Sequence, residues 1–145
     1  LSGELAAARA TDAEIAEIRA LHFEMLACHA RQDLSGYYRL NARIHAAINA
    51  AARNPVLTQH YAAINARVQA LRFRTNQDGT KWQRAVQEHD AMVQALAARD
   101  GTALRALLVQ HLQHKRDAVL QLMADGAAYQ APDKPARPAR PRNPA

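Results

Sequence analysis

Apolar residues recur every three or four positions along most of the chain, and no stretch shows the strict alternation of a half-buried strand. The pattern predicts helices throughout. Thr11 with Glu14 three residues later is a capping-box signature. It opens a stripe of Ile15, Ile18, Leu21, Met25 and Cys28 that runs to about Ala30. Asp33 and Ser35 are cap candidates for a second stripe of Leu34, Tyr38, Asn41, Ile44, His45, Ile48 and Ala52. That helix must stop near Asn54, because a residue before proline avoids the α region, whereas Pro55 suits the first position of a following helix.

The third stripe reads Leu57, Tyr61, Ile64, Val68 and Leu71, before the turn-forming segment Asn76, Gln77, Asp78 and Gly79. Thr80 is a cap candidate for the fourth, with Trp82, Val86, His89, Val93 and Leu96 inward and Asp100 and Gly101 at its end. Asp100 or Thr102 starts the last helix, with Leu104, Leu107, Leu108, His111, Ala118 and Leu122 inward and Gly126 as its stop. A short further helix begins near Glu4. Short connections between helices of this length predict an all-α fold, an antiparallel helical bundle of about six helices.

The chain has 145 residues, 49% hydrophobic and 22% charged, which suits one domain with a sizeable core. Low glycine and a single cysteine exclude collagen-like and disulfide-scaffold classes, and the lone Cys28 fits a reducing cytosol. No apolar run is long enough for a membrane span, and the first residues lack the order of a signal peptide, so a cytoplasmic location is expected. The net charge of +6 suggests nucleic acid until its position is considered. Residues 127–145 hold Lys134, Arg137, Arg140 and Arg142 against Asp133, together with five of the six prolines. Half of the excess charge therefore belongs to a disordered basic tail, leaving residues 1–126 as the helical domain.

Three stripes carry a histidine where an ordinary bundle would place leucine or alanine. Asn41 and His45 are four residues apart, about 40° around a helix, and project from one face. His45, His89 and His111 each fall near a helix midpoint, so they can converge in the interior. Three neutral imidazoles and an amide oxygen make a first shell for a divalent cation, zinc first, with nickel, manganese or iron as alternatives. His22, His29, His60 and His114 make weaker cases, and His114 is expected at the surface. Arg67 and Arg72 flank the third stripe and could pair with a carboxylate. A di-iron bundle is excluded, since Glu88 is the only glutamate after Glu24. A mononuclear metallohydrolase lacks a general base, because Glu88 and Asp90 point about 100° away from their neighbour His89. A metal-free helical dimerisation module is the other alternative.

The segments AARATDAEIAEIRAL, YYRLNARIHAAINAAARNPVL and EHDAMVQALAARDGTALRALLVQHLQH resemble the FadR-type effector-binding C-terminal domain, called FCD, of GntR-family transcription regulators. The resemblance runs from about Glu4 to Met123. It implies a metal held by the residues at Asn41, His45, His89 and His111, a small carboxylate effector, a homodimer and a non-enzymatic sensing role. Asn41 stands where that family usually has aspartate, so the bound cation would keep its full double charge and favour an anionic effector. The family's N-terminal winged helix-turn-helix has no counterpart in residues 1–145. The chain is therefore expected to be part of a longer regulator that alone contacts DNA.

Overall fold

The computed structural model describes residues 1–75 and 79–124, apart from the side chains of residues 67–75 and of Leu122. The tail expected over residues 127–145 and the helix stop at Gly126 lie outside the described residues. Among the described residues six helices follow one another: α1 (Ser2–Arg9), α2 (Asp12–Ala30), α3 (Leu34–Ala51), α4 (Pro55–Thr75), α5 (Gly79–Ala97) and α6 (Gly101–Ala124). No helix among the described residues is long and apolar enough to cross a membrane.

The helix starts follow the local chemistry. Thr11 and Glu14 form the full capping box of α2, each side chain bonding the other's backbone N–H. Asp33 accepts from the Gly36 N–H at 2.8 Å to start α3, and Asn54 from the Leu57 N–H at 3.2 Å to start α4, with Pro55 first in that helix. Asp100 accepts from the Ala103 N–H at 2.9 Å, so it is Asp100 and not Thr102 that caps α6. Thr80 lies within α5, whose described residues begin at Gly79.

Three helices end in left-handed residues that are not glycine: Gln32, Arg53 and Arg99, with φ of 58°, 51° and 57°. Glycine would occupy such positions without strain, so each side chain must offset a conformational cost of roughly 1 kcal/mol. The two arginines do so by bracing the bundle. Arg99 donates to the carbonyls of Ala7 and Ala10 and to Asp12, which ties the end of α5 to the turn between α1 and α2. Arg53 donates to both carboxylate oxygens of Glu14. Those bonds, with those from Thr11, hold the Glu14 carboxyl down at about 2.

The stripes on α2 and α5 are buried throughout. On α3 the burial is wider than one stripe, since Tyr37 and Leu40 join Ile44 and Ile48 in the core while Leu34 and Asn41 are only half-buried. The cause is position: α3 packs against α1, α2 and α4. The expected stripe of α4 fails at Ile64, which is 59% exposed, with Leu57 and Tyr61 half-buried. Among the described residues that helix packs mainly on α3 and α6, and Ile64 lies off this contact, while the Val68 and Leu71 side chains of the same stripe lie outside the described residues. Elsewhere α1 lies on α6 so closely that a Cβ added to Gly3 would come within 2.9 Å of the Arg105 backbone nitrogen. This framework leaves the middles of α3, α5 and α6 facing a common interior.

Candidate metal centre

His45, His89 and His111 come together in that interior, each at a core-facing stripe position of the kind that an ordinary bundle fills with an apolar residue. They are 5%, 0% and 2% exposed, and one nitrogen from each lies within 4.8 Å of the others. Ring centroids are 4.9 Å apart for His45 and His89, 5.0 Å for His89 and His111, and 5.2 Å for His45 and His111. Among the described residues neither ring nitrogen of His89 has a hydrogen-bond partner. Buried polar atoms are nearly always satisfied, and leaving one bare costs about 1–3 kcal/mol. Burial above all, and then the neighbouring His45, His111, His22 and Lys115, holds the His89 imidazole far below its ordinary pKa. It is thus a neutral ring with a free lone pair, the state that binds a cation. The donor set fits a divalent ion, and the cluster could hold one.

Behind His111 stands a residue that the helical periodicity of α5 directs away from His89. The Glu88 carboxylate accepts from His111 Nδ1 at 2.6 Å through one oxygen and meets His114 Nδ1 at 2.5 Å through the other. Burial pushes its carboxyl up, and the bonds from the two imidazoles outweigh this and bring it below the ordinary value. Glu88 does point away from His89, but in doing so it points at α6, where the next histidine sits. His114, expected at the surface, is half-buried by the same contact.

The remaining candidates divide. Asn41 lies one turn before His45 on α3 and is half-buried. Arg67 and Arg72 are on α4, but their side chains lie outside the described residues. His22, a weaker case by sequence, is buried, with Nε2 3.2 Å from Asp90 and Nδ1 unpartnered. Its position four residues after Ile18 was the available signal. His29 packs edge-on against Trp82 with centroids 4.8 Å apart, and His60 is exposed. A cavity of about 250 Å³ opens between α5 and α6, where Lys81, Arg84 and Lys115 surround the Glu88 and His114 pair. The pair is thus shared between a basic cleft and the back of the histidine cluster.

Comparison with known proteins agrees with this architecture. The solved structure of E. coli McbR/YncC superposes with a TM-score of 0.73 over 83% of this chain and 61% of that one, at 17% identity, a likeness of fold. The galactonate operon transcriptional repressor of Escherichia coli (strain K12) is 34% identical over 99 residues, which is 68% of this chain. The chain spans 42% of that repressor's length. The FCD domain family matches residues 1–114, a stretch that takes in all three clustered histidines. With the fold, the repressor and the family match in agreement, the chain belongs to the FCD domain family.

Proposed function

We propose that the chain is the effector-sensing and dimerisation domain of a GntR-family transcription regulator, and that it senses a small organic acid through a bound divalent metal. His45, His89 and His111 hold the ion, with the Asn41 amide oxygen as a further ligand or as a hydrogen-bond partner of metal-bound water. When bound, the ion supplies a positive charge in a closed interior to which a carboxylate is drawn. Arg67 or Arg72 on α4 clamps the other end of the effector. Zinc is the preferred ion for a shell of imidazoles. Residues 1–126 form this domain and residues 127–145 a basic tail beyond it.

One observation carries the reading: His89 is fully buried with both nitrogens bare, between two other neutral-capable imidazoles. A merely structural histidine would have found a partner. The relative whose name contains galactonate, a small sugar acid, supports the ligand class. Effector control of DNA binding by the parent protein requires only that the ligand bind one domain arrangement better than the other. A repressor relative and the family match favour this sensing role over the metallohydrolase.

Elemental analysis of protein purified without a metal-affinity tag, followed by thermal shift with small carboxylates, tests the reading. About one metal per chain and a stabilisation abolished by chelator are expected. No metal, none taken up on addition and no shift would leave a metal-free dimerisation module.

A further inference from the structure

The ligands named above carry no negative charge: three imidazoles bind as neutral rings and the Asn41 amide is uncharged. A dication in such a shell would sit in a closed interior without a counter-charge, which is costly. A carboxylate does touch the cluster from behind. Glu88 has one oxygen on His111 Nδ1 at 2.6 Å, and its side chain is only 12% exposed.

We propose that Glu88 is the anionic member of this metal centre, acting through His111, and that His114 is the clamp that fixes it. The inference rests on the metal-binding reading above. A hydrogen bond from Nδ1–H to a carboxylate selects the tautomer of His111 in which Nε2 is unprotonated, fixes the ring's rotation and strengthens Nε2 as a ligand. The second oxygen is held by His114 Nδ1, so the carboxylate cannot turn away from His111. Glu88 is therefore a positioning residue that also lowers the net charge of the centre by one unit. Because it lines the α5–α6 cleft with Lys81, Arg84 and Lys115, this counter-charge is held among cations instead of facing solvent alone.

The test is Co(II) binding by the whole chain, measured by competition with a chromophoric chelator and by the visible spectrum of the bound ion. Glu88→Gln keeps the shape and an acceptor oxygen but removes the charge. It should weaken Co(II) binding about 10- to 100-fold and alter the spectrum, with the melting temperature of the metal-free chain little changed. His114→Ala leaves the His111 bond in place and should weaken binding less, by several-fold; it carries the test if Glu88→Gln does not fold. Asp117→Asn, in the cleft wall, should leave affinity and spectrum as in the wild type. A purely structural bridge between α5 and α6 would give the opposite result: a lower melting temperature with unchanged affinity and spectrum, which would overturn the proposal. Absence of Co(II) uptake by the wild-type chain would instead defeat the metal reading itself.

Discussion

The imidazoles of His45 and His111 lie within 28° of parallel with centroids 5.2 Å apart, and the ring of His89 stands at 86° to one and 85° to the other. A neutral imidazole donates through one nitrogen and accepts through the other. In this arrangement His89 does neither. Three helices have thus brought together buried rings of which His89 is left unsatisfied among the described residues, a deficit that a shared ligand would remove.

Replacing His89 by leucine should therefore separate stability from function. The substitution removes two unsatisfied buried nitrogens, so the metal-free chain should gain about 1–3 kcal/mol. Metal binding should vanish. Denaturant unfolding in chelator together with metal content checks both, and a destabilised metal-free variant would show that His89 has a partner in solution.

Zinc should raise the melting temperature of the wild-type chain, and chelator should reverse the rise. At an ion concentration 100-fold above Kd the stabilisation is about 2.7 kcal/mol, since the ion binds the folded state. His45→Ala and His111→Ala should each abolish it. Retention of the full effect in either would remove that residue from the ligand set.

How far the sequence disclosed this site depends on the residue. The stripes of α2 and α5 were legible because each of those helices buries one face, so Ile15 to Cys28 and Trp82 to Leu96 follow a single period. The convergence of His45, His89 and His111 followed from their mid-helix positions. Tyr37 and Leu40 were missed because α3 is enclosed on several sides, and Ile64 was misplaced because it lies off the contact that α4 makes with α3 and α6. Glu88 was missed for a different reason: periodicity gives an angle around one helix but not what stands on that side. Its bond to His111 spans 23 residues and exists only through the packing of α5 on α6.

The Arg53 and Glu14 pair gives a pH signature away from the site. Their bonds are 2.8 and 3.0 Å, and the Glu14 carboxyl is lowered from 4.5 to about 2 in the folded chain. A depressed carboxylate contributes stability above its unfolded pKa and loses it as pH falls through the folded one. Glu14→Gln should therefore melt earlier than wild type at pH 6, with the gap closing between about pH 4.5 and pH 2. The pair is exposed, so salt should shrink the gap as well.

Two glycines should respond oppositely to alanine. At Gly3 the new methyl would meet the Arg105 backbone nitrogen at 2.9 Å and the Leu104 carbonyl carbon at 3.0 Å, neither of which can yield easily. A loss of about 1–3 kcal/mol is expected from forcing α1 off α6. At Gly79 nothing lies within 4 Å, and the better helix propensity of alanine should give no loss. Equal melting temperatures for the two variants would contradict the close α1–α6 contact.

The three clustered imidazoles are spread from residue 45 to residue 111, with α4 between His45 on α3 and the consecutive helices α5 and α6 that carry His89 and His111. The α5–α6 pair can bring His89 and His111 near one another, but the complete site comes into being only when α3, α5 and α6 are all in place. An ion arriving there finds a completed fold. Its effect should fall on the rate of unfolding and hardly at all on the rate of folding, because interactions absent from the transition state slow only the way out. Loaded and empty chains would then fold equally fast and differ in lifetime, so that occupancy is recorded as persistence of the folded domain.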